Sequence, residues 1–281
     1  MLIFDRINEM TSYTEEKREK GLTVGFVPTM GALHRGHITL VERSVNENDI
    51  TVVSIFVNPV QFNNPEDLKK YPRNVEKDVE MLAKAGVDAV FTPSEEEMYP
   101  EQVTRVYELG DLASVMEGEF RPGHFNGVAV VVHKLLEIVK PHKAYFGEKD
   151  YQQLQIIKKL VRDEKLLVEI VPCPISRDHD GLALSSRNER LTHEMREAAP
   201  FIHSQLIKAR SLANKADATA ETIIAFIKES FSRHPLLKLE YFVIADGETL
   251  KPVSGELKSN NYGFIAVFAG DVRLIDNIRL I

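Results

Sequence analysis

The chain has 281 residues, 43% of them apolar and 27% charged, and a formal charge of −7 at pH 7. That length can bury a full core in one large domain or two smaller ones, and the acidic balance argues against a general nucleic-acid or anionic-membrane surface. An anionic substrate would therefore need a local cationic pocket. The single cysteine, Cys173, excludes an internal disulfide and reads as a buried or bystander thiol. The opening MLIFDRINEM gains charge too early for a signal peptide, and no apolar run approaches a membrane span. A cytoplasmic protein is expected.

In chain order, strand-like runs fall at 22–27 (LTVGFV), 50–57 (ITVVSIFV), 87–91, 143–146 and 166–171. Helical spacing separates them at 34–47, 74–85, 127–139 and 150–163. Such alternation predicts parallel strands joined by helical crossovers, an α/β, Rossmann-like, doubly wound sheet. From about 176 the pattern changes to two long helices, 192–213 and 218–232, then strands at 237–245, 262–269 and 272–280. This predicts a smaller α+β domain with an antiparallel sheet, so the expected division is 1–175 and 176–281, the second serving as a lid. Ligands of doubly wound sheets lie beyond the carboxyl ends of the strands, which directs attention to the loops after 27, 57 and 146.

The first of these loops is PTMGALHRGH, residues 28–37. Gly31 and Gly36 have P-loop spacing, but the Lys and Ser/Thr that should follow are replaced by His37 and Ile38, which rejects a P-loop. A two-histidine metal site lacks a third ligand at a recognisable spacing. Paired imidazoles at a helix start, with free backbone N–H groups and the positive end of the helix dipole, would suit a phosphate. Alone, His-x-x-His fits ordinary turn and helix-start residues better.

The other loops add polar groups. Asn58 and Gln61 follow the second strand, and their amides could orient a small polar ligand. Lys149 would bring a point charge to the crevice, with Gln153 on one side of the next helix. Ser185, Ser186 and Arg187 combine hydroxyls with a guanidinium, a set suited to phosphate or to a polar helix cap. The segment GEFRPGHFNG (118–127) reads as a shaped loop around Arg121 and His124, functional or merely turning. His133, His142, His179, His193, His203 and His234 lack supporting context.

Taken together and in order, PTMGALHRGH, FVNPVQF, YPR, RPGHFNGV, FGEKDYQQL, DGLALSSRN and RLIDN closely resemble the pantoate–β-alanine ligase family, the pantothenate synthetases. The resemblance runs from about residue 20 to the C-terminus and places the chain among the HxGH nucleotidyltransferases. It implies ATP-dependent condensation of pantoate with β-alanine through a pantoyl adenylate, releasing AMP and pyrophosphate, with Mg²⁺ accompanying ATP and a homodimer as the assembly. By position, ATP would contact Met30, Gly31, Ala32, Leu33, His34, Arg35, Gly36 and His37. It would also contact Gly147, Glu148, Lys149, Asp150, Ser176, Leu184, Ser185, Ser186 and Arg187. Gln61 and Gln153 would hold pantoate, Gln61 also serving β-alanine; the metal ligands stay unassigned.

His37 is the residue the family treats as catalytic. His34, His37, Lys149, Ser185, Ser186 and Arg187 would stabilise charge on the phosphates, and a histidine near its titration point would also give a proton to the leaving oxygen. The segment QFNNPEDL departs from the family at Asn63 and Asn64, where glycine and a polar turn are usual. One alternative is a related nucleotidyltransferase with a phosphorylated acceptor, which would call for more Arg or Lys than the paired glutamines provide. An idle binding protein would be expected to carry damaged motifs, and a nicotinamide oxidoreductase lacks its G-x-G-x-x-G after any strand.

Overall fold

The computed structural model describes all 281 residues. The runs VGFVPT and ITVVSI become β2 (Val24–Thr29) and β3 (Ile50–Ile55), after a short first strand, β1 (Leu2–Phe4). Side chains of β3 are buried throughout and those of β2 almost so, which fits strands covered on both faces. With β4 (Ala89–Phe91), β5 (Lys143–Gly147) and β6 (Glu169–Cys173) they form a parallel sheet in the order β1-β4-β3-β2-β5-β6. Successive β2 residues serve opposite faces: Phe26 joins the core with Met10, Phe91 and Leu154, and Val27 joins the core with Val53, Leu82 and Tyr145. The chain leaves β2 for β3 on one side and later returns to β5 on the other. That reversal puts a switch-point crevice above β2 and β5.

Strands β7 (Leu237–Asp246), β8 (Asn261–Ala269) and β9 (Val272–Arg279) make an antiparallel meander. It packs with the helices Phe201–Ala213 and Ala220–Ser232 around Leu206, Ile227 and Val267, a core of its own. A smaller cluster of Met116, Tyr151, Ala245, Leu250 and Phe264 joins this unit to the parallel sheet. Polar ties cross the same junction. Arg273 donates two 2.7 Å hydrogen bonds to the Glu117 carboxylate. The Asn277 amide donates to the carbonyls of Glu148 (2.8 Å) and Lys149 (3.0 Å).

Several elements depart from the sequence expectation, among them the helix Ile7–Glu19 and the short helices at 65–70, 95–98 and 117–120, which it did not include. The edge strand β1 is too short to show a period. The run at 166–171 starts late: Lys165 turns with φ 54°, Leu167 stands 93% exposed, and the strand begins at Glu169. Pro172 is tolerated there because β6 is an edge strand. The helix expected at 192–213 is two, His193–Ala198 and Phe201–Ala213, divided at Pro200, which cannot supply an intrahelical N–H. The helix expected from 127 starts at His124.

That last helix carries a close approach. A Cβ on Gly127 would lie 2.5 Å from the Val60 carbonyl oxygen and 2.7 Å from the Gln61 Cα. Alanine ordinarily stabilises a helix interior relative to glycine by about 1 kcal/mol. Here Gly127→Ala is expected to destabilise by about 1–3 kcal/mol through overpacking, read as a lower denaturant midpoint with an unchanged slope.

Candidate active site

Above β2 the chain makes a tight turn before the helix Arg35–Glu47. Gly31 (φ 77°) and Ala32 (φ 49°) both occupy the left-handed region. The turn is held from below by Asp78, whose carboxylate accepts 2.8 Å hydrogen bonds from the Ala32 and Leu33 N–H groups. Burial pushes the Asp78 carboxyl above its ordinary range, and those two donors oppose the shift. Gly31 N–H donates to the Thr29 hydroxyl at 3.2 Å. The N–H groups of Gly31, Ala32 and Leu33, expected to face an anion at this turn, are thus already used.

The two histidines sit at the helix start itself. His34 is the N-cap: its Nδ1 accepts from the Gly36 N–H at 3.1 Å. His37 reaches back, its Nδ1 accepting from the His34 N–H at 3.3 Å. This is a capping box built from two imidazoles, with ring centroids 4.0 Å apart. A Cβ on residue 36 would lie 2.9 Å from the His34 ring, so only glycine fits between them. Backbone N–H groups only donate, so each Nδ1 must be bare and the proton of each neutral ring sits on Nε2. Both rings line a cavity of about 220 Å³.

Burial, reinforced by Lys149, pulls His34 down to about 4. Burial, reinforced by His34 and Lys149, pulls His37 down to about 3. Both rings are therefore neutral hydrogen-bond donors at pH 7. This corrects the expectation of a histidine poised near its titration point to deliver a proton.

The same cavity is lined by Met30, Gly36, Gln61, Gly147, Lys149, Asp150, Gln153, Ser176, Leu184, Ser185, Ser186 and Arg187. The remaining residues of the expected set lie elsewhere. Arg35 turns outward, 67% exposed, and pairs with Glu42 at 2.8 Å. Leu33 sits in the core, Ala32 and Gly31 form the turn behind the rings, and Glu148 offers its carbonyl to Asn277. Asn63 and Asn64 line an adjoining cavity of about 410 Å³, which shares Lys149, Asp150, Ser185 and Arg187 with the first.

Each polar group is positioned by a partner. Asn58 donates to the Gln61 side-chain oxygen (3.0 Å) and the Gly127 carbonyl (3.1 Å), and accepts from the Tyr99 hydroxyl (2.9 Å). His124 donates through Nδ1 to the Gln61 carbonyl at 2.7 Å, which leaves it a scaffold for the loop. Ser186 donates to the Ala32 carbonyl at 3.0 Å, tying the serine-rich loop to the histidine turn. Ser176 shares a 2.8 Å bond with Thr39. Lys149 has only Asp150 nearby, at 3.7 Å, and Arg187 pairs with Asp67 at 2.7 Å.

Sequence reasoning assigned no role to Asp78, Asp67 or Asn277. For Asp78 there was a signal: it lies four residues before Leu82, a carboxylate on the buried stripe of an amphipathic helix. Asp67 and Asn277 lie in the quoted segments QFNNPEDL and RLIDN, but their partners are across long stretches of chain, and no local spacing points to those contacts.

Fold and site define an α/β protein that gathers imidazoles, amides, hydroxyls and two cationic side chains in one cavity at the switch point of its sheet. The pantoate–β-alanine ligase family model matches residues 2–279. A pantothenate synthetase of Bacteroides fragilis is 52% identical over 280 residues, covering 99% of each chain. The crystal structure of pantothenate synthetase from Thermus thermophilus superposes with a TM-score of 0.93 at 43% identity, covering 100% of this chain and 99% of the other. The Francisella tularensis pantoate–β-alanine ligase, crystallised with β,γ-ATP and β-alanine, superposes at 0.83 with 40% identity, covering 100% and 98%. The chain belongs to the pantoate–β-alanine ligase family and is an enzyme of that kind.

Stability should follow the ring environments. Folded values of about 4 and 3 lie below the ordinary 6.5, so between about pH 3 and 6.5 the unfolded chain binds more protons. Stability is then full above about 6.5 and lost as pH falls through that window. Denaturant titrations at pH 7 and pH 5 should show this decline, and it should be shallower in His34→Gln and His37→Gln.

Proposed function

We propose that this enzyme condenses pantoate with β-alanine at the expense of ATP, through a pantoyl adenylate, and releases AMP and pyrophosphate. The carrying observation is that two neutral histidines with protons on Nε2 line one cavity with Gln61, Gln153, Lys149, Ser185 and Arg187. In the first step a pantoate carboxylate oxygen attacks the α-phosphorus, and the bond to the pyrophosphate oxygen breaks. The nucleophile is already an anion, so it needs orientation and no base; two glutamines orient it without repelling it.

Charge grows on the phosphate oxygens, where fixed donors stabilise it without reorganising. His34 and His37 supply Nε2–H groups, Ser185 supplies its hydroxyl while Ser186 holds the loop in place, and Lys149 and Arg187 supply cations. Arg187 is held by Asp67 in a partly exposed pair, from which a triphosphate can draw it at modest cost. In the second step the β-alanine amine attacks the acyl carbon. The acyl–oxygen bond breaks, AMP leaves with the electron pair, and the ammonium proton passes to solvent.

Mg²⁺ is part of the proposal. No cluster of three or more His, Cys, Asp or Glu side chains is placed to hold a metal, and Asp150 is the one carboxylate of the nucleotide cavity. That suits a cation arriving on the triphosphate with a single protein carboxylate beside it; when bound it would neutralise charge on the leaving pyrophosphate. The Ser186–Ala32 bond supports the serine-rich loop and the C-terminal unit as a cover over the adenylate, which must be kept from water. A homodimer belongs to the same reading. No helix is long and apolar enough to cross a membrane.

AMP release from Mg·ATP should require both acids, and exchange of pyrophosphate into ATP should require pantoate alone. Replacing His37 with alanine should lower turnover by roughly two to three orders of magnitude, the effect of losing one transition-state donor. AMP without pantoate, or near-normal turnover in that variant, would contradict the mechanism.

A further inference from the structure

The cleft between the two units is rich in arginine, and nearly all of it is committed. Arg273 bonds Glu117 and Glu240, Arg190 bonds Asp67 and Asp271, and Arg187 bonds Asp67. Arg121 differs. Its side chain is only 24% exposed and makes no hydrogen bond; its nearest carboxylate oxygen, on Glu117, is 3.8 Å away. Glu117 is already taken, accepting both bonds from Arg273 and a 2.7 Å bond from the Tyr241 hydroxyl. A half-buried guanidinium with idle donors is costly unless an anion completes it.

The loop holds Arg121 there by construction. Arg121 stands three residues before His124, whose ring fixes the Gln61 carbonyl. Arg121 is absent from the cavity that contains both histidines. It lines instead the 410 Å³ cleft and a small recess shared with His124, Lys149, Asp150 and Gln153. Gln153, Lys149 and Asp150 also line the histidine cavity. Arg121 therefore lies outside the cavity of the imidazoles, in a cleft that meets that cavity at Lys149, Asp150, Ser185 and Arg187.

From this placement, and resting on the ligase reading above, we propose that Arg121 binds the carboxylate of the amine substrate. A short β-amino acid would enter through the 410 Å³ cleft, set its carboxylate on the guanidinium, and present its amine past Gln153 to the acyl carbon of the adenylate. The fork geometry of arginine suits a carboxylate bidentately. The residue would thereby select amines that carry a carboxylate.

The two half-reactions separate the possibilities. In Arg121→Ala the KM for β-alanine should rise about 10- to 100-fold, the range for losing one charged hydrogen-bond pair. Pantoate-dependent pyrophosphate exchange, which involves no amine, should keep its ATP and pantoate constants. Discrimination between β-alanine and propylamine, which lacks the carboxylate, should shrink by the same factor, and Arg121→Lys should recover part of it. An unchanged β-alanine KM, or an unchanged β-alanine-to-propylamine ratio, overturns the proposal. So does a raised ATP constant in the exchange, which would assign the guanidinium to the triphosphate. If Arg121→Ala does not fold, the ratio measured in Arg121→Lys decides. Absence of exchange in the unaltered enzyme would instead break the ligase reading itself.

Discussion

The site depends on one reciprocal interaction: two histidines cap the helix that carries them. Because each Nδ1 accepts a backbone N–H, ring orientation, tautomer and the direction of each remaining proton are fixed together. The N–H groups of His34 and Gly36 at the helix start are thereby satisfied by the imidazoles, which leaves each Nε2–H to face the cavity. Neutrality follows from the same packing. A charged ring would carry a proton on Nδ1, lose its cap and leave a backbone N–H without a partner.

Much of the surrounding structure serves to hold that box in register with the other groups. Asp78 braces the turn behind it, and Ser186 ties the serine-rich loop to the same turn. From the far domain, Asn277 grips the backbone under Lys149. Both units therefore contribute to one site, and the bonds that position Lys149 are also bonds between them. Loss of such a tie would disturb catalysis without touching a substrate.

The doubly wound sheet was legible because its buried strands are continuous β-branched runs and its helices keep a clear period, as at 22–27 and 74–85. Elements without a period escaped: β1 is three residues long, and the exposed Leu167 sits in an apolar run that is not strand. The residues that line the histidine cavity were largely legible because they cluster in short loops after strands. Their supports were not, since Asp78, Asp67 and Asn277 reach the site across 46, 120 and 129 residues of chain. The protonation state of the histidines was misjudged for a related reason. Burial and the Lys149 charge, which set it, arise only when three separate loops meet.

The most direct test is nitrogen-resolved NMR of the histidine rings in the ligand-free enzyme at pH 7, with His34 and His37 assigned from single His→Gln variants. The capping geometry predicts two neutral rings, each with its proton on Nε2 and a bare Nδ1. A proton on Nδ1 of either ring, or an imidazolium at that pH, would contradict the account.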